Sequence, residues 1–223
     1  MTIIRDILIP LGSGLLTAAG GWLIYLFLKT KERKKLFMAP GAKTFATETD
    51  MDNLIVDPED AAAMLRQIQR DMAKAFGFIL HTPISARLIG LGDLRRKCDY
   101  RGNPLGMFTF EDHRITIYIL FGMPRARFYA TLAHEYAHVW QAMEGFLTGT
   151  LEHNEGFAEW TALVLTQMAG FDTKEEFDRA SWDPYGTGMR KFITLQKIFG
   201  VREAAQLGKR RRLNLNMLRG NYN

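Results

Sequence analysis

Two histidines four residues apart, with a glutamate directly after the first, constrain this chain more than any other feature. They form the run His134-Glu135-Tyr136-Ala137-His138, which lies among apolar residues. On an α-helix, residues i and i+4 share one face, so both imidazoles can reach a single metal ion. The pattern therefore predicts a buried helix, about residues 127–144, that carries two zinc ligands.

A catalytic zinc ion takes three protein ligands and keeps one position open for water. Glu155 is predicted to be the third ligand, in the first turn of the next helix. Glu159 lies one turn later on the same face and is predicted to accept a hydrogen bond from a ligand histidine. Two rival ligands remain, Glu152 and His153, although both are expected to precede that helix.

The chemistry that this arrangement indicates is hydrolysis by a zinc-activated water. Zinc lowers the pKa of a bound water molecule, and the Glu135 carboxylate can take the proton that is released. A zinc site that only held the fold together would not need a base at this position. The sequence therefore predicts one zinc ion per chain, with Glu135 as the general base.

The region around the histidines resembles the gluzincin metallopeptidases. In these proteins the His-Glu-x-x-His helix is followed by a segment like Asn154–Trp160, which reads NEGFAEW here. Within it, Asn154–Ala158 is similar to the third-ligand segment of the zinc aminopeptidases. The resemblance implies that Glu155 binds the metal and that the substrate is a peptide or a protein.

A longer stretch, Ile115–Gln141, resembles the peptidase domain of the plant ubiquitin-activated, LIM-domain-containing growth-control peptidases. That family has a strand, a Gly-x-Pro-Arg turn and then the histidine helix, and the turn here is Gly122–Arg125. Its Tyr-Gly-x-Gly segment is matched by Tyr185–Gly188, with Arg190 after it. The plant members also carry cysteine-rich LIM modules and ubiquitin-interacting helices. This sequence has one cysteine, so the resemblance implies the zinc-peptidase unit alone.

Tyr185 is a candidate for a second catalytic role. Peptide hydrolysis needs a hydrogen-bond donor for the oxyanion that forms beside the metal, and a tyrosine hydroxyl can supply it. The alternative is a turn aromatic packed on the core, between residues that favour loop geometry. Arg190 either binds a substrate carboxylate or makes a structural pair.

Hydrophobic patterns predict an α+β fold, in which a small antiparallel sheet packs against the histidine helix and further helices. Asp57 and Pro58 are typical of a helix start. An apolar face follows at three- and four-residue steps, consisting of Leu65, Ile68, Met72 and Phe76. The remaining predicted strands are residues 86–92, 107–110 and 114–121, and the remaining predicted helices are residues 154–169 and 188–207.

The N-terminal region predicts a membrane anchor. Residues 7–28 contain no charged side chain and are long enough to cross a bilayer, which needs about 20 residues. Lysines and arginines cluster after this run, in residues 29–35, so the positive-inside rule predicts one transmembrane helix with the catalytic domain in the cytoplasm. A cleaved signal peptide is the alternative. The predicted parts are an anchor in the lipid bilayer with its basic flank (1–35), a linker (36–57) and a zinc metallopeptidase domain (58–223).

Composition excludes several other classes of protein. A single cysteine, Cys98, allows neither an intramolecular disulfide nor a cysteine-rich zinc module. The formal net charge is +5, but the basic residues form short runs without interleaved aromatic residues, so no nucleic-acid partner is expected.

Three functions remain open from the sequence. The first is an endopeptidase that acts on cytoplasmic or membrane-proximal proteins. The second is an aminopeptidase, which the likeness of Asn154–Ala158 suggests, although no acidic site for a free amine can be identified. The third is a membrane-anchored zinc module that binds a partner without catalysis, and the presence of Glu135 speaks against it.

Overall fold

The computed structural model describes residues 53–98, 104–111, 114–147, 149–172, 177 and 182–209. These belong to one unit of the chain, Asn53–Asn223. The predicted anchor, the predicted signal peptide and most of the predicted linker lie outside the described residues.

The fold class predicted from the sequence included a transmembrane helix, and on this point it is wrong. Within the described residues, no helix is long and apolar enough to cross a membrane. The longer described helices carry several charged side chains each, so they lack the continuous apolar surface that a bilayer core requires. The segment for which the transmembrane helix was predicted, residues 7–28, is not among those described.

The described residues form an α+β fold with five strands and six helices. The strands are β1 (Leu54–Ile55), β2 (Ile84–Ile89), β3 (Gly106–Glu111), β4 (Arg114–Leu120) and β5 (Met123–Pro124). The helices are α1 (Pro58–Phe76), α2 (Leu91–Cys98), α3 (Arg125–Met143), α4 (Leu151–Met168), α5 (Pro184–Phe199) and α6 (Val201–Gly208). Strand β1, at the end of the predicted linker, pairs with β5 just before the histidine helix α3 begins.

A three-stranded mixed sheet packs against the helices. Its central strand is β4, which runs antiparallel to β3 and parallel to β2. The β3–β4 pair, with Phe108 opposite Ile117, confirms the predicted pairing of these segments. The prediction that the sheet is antiparallel is wrong for β2. Because the chain crosses over through α2 and β3 before it forms β4, strands β2 and β4 run in the same direction.

Helix α1 begins where the sequence predicts it. The Asp57 side chain accepts a hydrogen bond from the backbone N–H of Glu59 at 2.9 Å, and Pro58 occupies the first turn. Gly77, with φ of 73°, ends the helix in the left-handed conformation that suits glycine. All four residues of the predicted apolar face are buried, which confirms that this face belongs to the core.

Helices α3 and α4 form the centre of the core. Trp140 of α3 stacks on Phe78 and lies against Phe157 of α4. Tyr129 joins α3 to α1, because its hydroxyl donates a hydrogen bond to Asp71 at 2.8 Å. Close packing on several sides fixes the backbone of α3, and with it the Cα positions of His134 and His138.

Helix α4 begins at Leu151, three residues earlier than predicted. The side chain of Thr150 accepts a hydrogen bond from the backbone N–H of His153 at 3.2 Å and so caps the helix. The earlier start places His153 inside the first turn, and Glu155 follows in the same helix.

The predicted helix over residues 188–207 is two helices, α5 and α6. Helix α5 begins earlier, because Asp183 caps it by accepting a hydrogen bond from the backbone N–H of Gly186 and Pro184 suits the first turn. Gly200, with φ of 82°, separates α5 from α6.

Helices α4 and α5 cross with their backbones in contact at Gly156 and Gly188. A Cβ atom on either glycine would overlap backbone atoms of the opposite helix. Glu155 precedes one of these glycines and Tyr185 lies one turn before the other. The crossing therefore brings the first turn of α5 close to the predicted metal ligand.

Candidate metal centre

Three side chains from α3 and α4 bring their donor atoms together. The Nε2 atoms of His134 and His138 are 3.0 Å apart. Oε2 of Glu155 lies 3.3 Å from each of these nitrogens. The i,i+4 spacing sets both imidazoles on one face of α3, and the first turns of α4 carry the carboxylate to that face.

This triangle of donor atoms has the size that a tetrahedral metal ion needs. With metal–ligand bonds of about 2.0–2.1 Å, tetrahedral geometry separates neighbouring ligand atoms by about 3.3 Å. The three side chains keep between 12% and 16% of their surface exposed, so the centre can still be approached from solvent. His134, His138 and Glu155 can therefore bind a metal ion.

Glu159 orients the ring of His134 through the ring nitrogen that does not belong to the triangle. Nδ1 of His134 donates a hydrogen bond to Oε2 of Glu159 at 3.0 Å. Since the proton is on Nδ1, the lone pair of Nε2 faces the triangle. Glu159 lies one turn after Glu155 on α4, as the same-face spacing predicts.

Gln141 holds His138 in the same way, and sequence reasoning missed it. Its Oε1 accepts a hydrogen bond from Nδ1 of His138 at 2.7 Å, and its Nε2 donates to the backbone carbonyl of Asn154 at 3.2 Å. The side chain is fully buried. A signal was present in the sequence, because Gln141 is three residues after His138 and so shares its helical face.

The electrostatics of the triangle favour a cation at its centre. Burial lowers the pKa of His134, but hydrogen bonds to Glu155 and Glu159 outweigh this effect and bring the pKa above its usual value. Burial raises the pKa of Glu155, and hydrogen bonds with both ligand histidines outweigh this effect and hold it below its usual range. A metal cation can supply positive charge between these groups in place of a proton.

Glu135 lies beside the triangle without belonging to it. Burial raises the pKa of its carboxyl group, while the two histidines lower it and Glu155 raises it further, and the net direction is upward. The start of β3 lies directly against this side chain. A Cβ atom on Gly106 would be 2.8 Å from Cγ of Glu135, so glycine leaves the room that the glutamate occupies.

Tyr185 lies over the triangle from the first turn of α5. Its ring centre is 6.1 Å from that of His134, and its hydroxyl forms a hydrogen bond with Glu155. Burial and the nearby carboxylates raise the pKa of Tyr185 to about 12, so the phenol keeps its proton at neutral pH. The side chain of Tyr185 is 43% exposed, and its catalytic role stays a prediction.

The two rival ligands are engaged elsewhere. Glu152 forms an ion pair with Lys191 of α5. His153 donates a hydrogen bond from Nε2 to the backbone carbonyl of Gly208 at 2.8 Å. The structure therefore brings neither of them into the triangle.

Arg190 contacts two other residues near the start of α5. Its guanidinium lies 4.9 Å from the ring centre of Trp182 and donates a hydrogen bond to the Thr187 hydroxyl at 3.2 Å. These contacts are structural pairs, and the binding of a substrate carboxylate by Arg190 stays a prediction.

The triangle opens into a cleft of about 560 Å³. Helix α3, the start of β3 and the first turn of α5 all contribute to its wall. The described residues that line it are Cys98, Pro104, Leu105, Gly106, Arg127, Ala130, Thr131, His134, Glu135, Glu159, Phe177 and Tyr185. A space of this volume accommodates a short peptide segment or another molecule of similar size.

One end of an open cleft thus combines three metal-binding groups, a carboxyl group with a raised pKa and a protonated phenol. Comparisons with models of known protein families, with curated proteins and with solved structures find no match to this chain. The function of the site therefore has to be inferred from the geometry and the chemistry of these side chains.

Proposed function

We propose that this chain is a zinc-dependent peptidase that cleaves within peptides. The observation that carries the proposal is the donor triangle of His134, His138 and Glu155 with Glu135 directly beside it. Two imidazoles and one carboxylate form a typical ligand set for catalytic zinc. Among the described residues these three donors converge, and His134 also lines the cleft, so water could reach an ion held there.

The residues of the chain divide the work of hydrolysis between them. Zinc, when bound, lowers the pKa of water and polarises a carbonyl group. Glu135 accepts a proton from the attacking water and delivers it to the leaving amine. Tyr185 donates a hydrogen bond to the carbonyl oxygen of the substrate as negative charge develops on it. Glu159 and Gln141 keep both imidazole rings oriented.

The edge of the sheet supports a peptide as substrate. In the three-stranded sheet of the described residues, β3 is an edge strand, and its first residue, Gly106, lines the cleft beside Glu135 together with the preceding Leu105. An extended peptide can pair with such an edge through backbone hydrogen bonds. A substrate held in this way would lie across the triangle.

The roles of the carboxylates beside the donor triangle favour internal cleavage over aminopeptidase activity. An aminopeptidase needs an acidic group for the free amine of its substrate. Glu155 faces the histidines, Glu159 holds His134 and Glu135 is the proposed base, so each of these three has another task. The described lining of the cleft offers no further carboxylate.

A digestion experiment tests this function. The full chain, produced with zinc and checked by metal analysis, is incubated with a mixed peptide library, and new termini are identified by mass spectrometry. We expect internal cleavage that a chelator abolishes and added zinc restores. Stepwise removal of N-terminal residues would instead indicate an aminopeptidase. Bound zinc without any cleavage would favour the non-catalytic zinc module.

A further inference from the structure

Thr131 of α3 differs from the other residues of the cleft wall in having a buried hydroxyl that the fold does not use. The residue is 9% exposed, and it lines the cleft. Within the part of the chain that the structure describes, this hydroxyl has no hydrogen-bond partner. Threonines inside helices often bond the carbonyl oxygen four residues earlier, as Thr166 does with Ala162 at 2.6 Å. Thr131 does not make this bond, so its hydroxyl is available to a molecule in the cleft.

A mostly buried hydroxyl without a partner is unfavourable, because it has left water and gained no hydrogen bond in the protein. Thr161 of α4 is the useful comparison. It is also buried, and its hydroxyl has no partner among the described residues. Thr161 does not line the cleft, however. The two threonines therefore share their burial and their lack of a partner, and differ in access to a ligand.

Thr131 is close to the metal end of the cleft. It lies one turn before His134, and both residues line the cleft, so they share one face of α3. They are separated by about 4.5 Å along the helix axis, at about 1.5 Å per residue. An extended peptide covers about 3.3 Å per residue. A substrate whose carbonyl group lies at the metal would therefore have a residue next to the cleaved bond beside Thr131.

The surroundings of the hydroxyl set the chemistry of the side chain that fits there. Several apolar residues line the same cleft, among them Leu105, Ala130 and Phe177. A charged side chain would have to leave water for this part of the wall, which is unfavourable. A hydroxyl donates and accepts at once, so it can pair with a neutral amide or with another hydroxyl.

We propose that Thr131 determines specificity: its hydroxyl binds the side chain of a residue next to the cleaved bond and selects a neutral hydrogen-bonding residue over an apolar one of the same shape. The inference rests on the proposed peptidase function and adds the substrate class. An apolar side chain would exclude water from the hydroxyl without replacing the lost hydrogen bond. A site of this kind discriminates strongly against the substrate that lacks the polar group.

Pairs of peptides with the same shape test the proposal. Once a cleaved bond is known from a digest with the full chain, the residue on each side of that bond is varied as threonine against valine and as asparagine against leucine. We expect one of the two positions to show a kcat/KM that is higher for the polar member by about 5- to 100-fold, mostly through KM. Equal kcat/KM within every pair at both positions overturns the proposal.

The variant Thr131→Val keeps the shape of the side chain and removes the hydroxyl alone. We expect it to lose the preference for the polar peptide, whereas Thr131→Ser, which retains a hydroxyl, should keep it. The matched control is Thr161→Val, which removes a buried and unpaired hydroxyl away from the cleft and should leave the preference unchanged. A preference that persists in folded, zinc-loaded Thr131→Val protein overturns the proposal.

Thermal denaturation gives a readout that does not depend on activity. Because the Thr131 hydroxyl has no partner among the described residues, Thr131→Val should unfold at the same temperature as the native protein or at a higher one. A clearly lower unfolding temperature would show that the fold itself uses the hydroxyl, and would overturn the proposal.

A binding measurement separates failure of this inference from failure of the proposed function. Zinc-loaded Glu135→Gln protein is titrated with short peptides that carry threonine or valine at each position in turn. Tighter binding of a threonine peptide that disappears in the double variant with Thr131→Val supports the hydroxyl site even if no peptide is cleaved. Equal affinity for all peptides overturns it even if the native protein is a peptidase.

Discussion

Gln141 accepts a hydrogen bond from Nδ1 of His138 over 2.7 Å, from a fully buried position three residues further along the same helix. The same amide donates to the backbone carbonyl of Asn154, the residue directly before Glu155. One side chain therefore orients one metal ligand and fixes the helical turn that carries another. The amide suits this position because it accepts and donates at once.

Replacing Gln141 should weaken metal binding although it touches no metal. In Gln141→Leu, which keeps a similar volume, His138 loses the acceptor that fixes its tautomer. We expect zinc affinity to fall by about 10- to 100-fold, measured by competition with a chromophoric chelator. Gln141→Glu keeps the acceptor and should recover much of the affinity. Equal affinity of the native and Gln141→Leu proteins would show that the hydrogen bond has no part in metal binding.

Glu135 and Glu155 should respond differently to the same substitution. Glu135→Gln keeps the shape of the side chain but cannot accept a proton, so we expect full zinc content and a loss of peptide hydrolysis of about 100- to 10,000-fold. Glu155→Gln removes a charged ligand and should lower zinc content, with partial recovery of activity in excess zinc. Both are measured by metal analysis together with peptide turnover. Near-native activity of a zinc-loaded Glu135→Gln protein would falsify the proposed mechanism.

Removing a histidine ligand should have the largest effect on metal content. His138→Ala deletes one of the three donors of the triangle, and the two that remain hold zinc weakly. We expect most of the metal to be lost after dialysis. Retention of one zinc per chain would mean that a donor outside the triangle takes the place of His138.

The stability of the fold should decrease at alkaline pH through Tyr129. Burial, together with its hydrogen bond to Asp71, raises the pKa of Tyr129 far above the value of about 10 in an unfolded chain. Below about pH 10 the folded and the unfolded state both keep the phenol proton, so the contribution of Tyr129 to the free energy of unfolding is constant. Above it the unfolded chain loses the proton first, so the free energy of unfolding falls by up to about 1.4 kcal/mol per pH unit.

Urea denaturation on both sides of about pH 10 measures this effect. Tyr129→Phe should show a smaller decrease with pH. At neutral pH it should be less stable by about 1 kcal/mol, because the hydrogen bond to Asp71 is lost. The same pH dependence in both proteins would assign the decrease to other tyrosines.

The backbone contact between α4 and α5 should tolerate no side chain. In Gly188→Ala the new methyl group overlaps the backbone of α4, so we expect a loss of about 1–3 kcal/mol in the free energy of unfolding. Gly92→Ala is the matched control, because the nearest atom to a Cβ there is 3.9 Å away on the flexible side chain of Arg96. Thermal denaturation of both variants distinguishes a local overlap from a general effect of alanine. A stable Gly188→Ala protein would mean that the helices can separate at no cost.

The parts of the structure that local sequence determines are the ones that could be predicted. The i,i+4 histidines determine the face of α3, and the cap at Asp57 and the apolar spacing determine α1. The β3–β4 pairing follows from two apolar segments that are neighbours in the chain. In each case the residues that form the contact, or that begin the element, are close in sequence.

The remaining features depend on contacts between distant segments. Nothing in β2 itself indicates that it runs parallel to β4, since the direction depends on the path of the chain between them. The spacing of Gln141 from His138 is visible in the sequence, but its contact with Asn154 depends on how α3 and α4 pack against each other. The position of Arg127 in the cleft likewise becomes visible only when α3 and β3 are brought together.

The donor triangle joins two different helices, and this has a consequence for the lifetime of the protein. His134 and His138 belong to α3 and Glu155 to α4, so a bound ion closes a cross-link between them. A ligand that binds only the folded state adds its binding free energy to folding, about 4 kcal/mol when it is present at 1,000 times its dissociation constant. Under the proposed function, loss of the metal would remove activity and, at the same time, expose the chain to unfolding and degradation. Metal supply would then control the amount of this protein as well as its proposed activity.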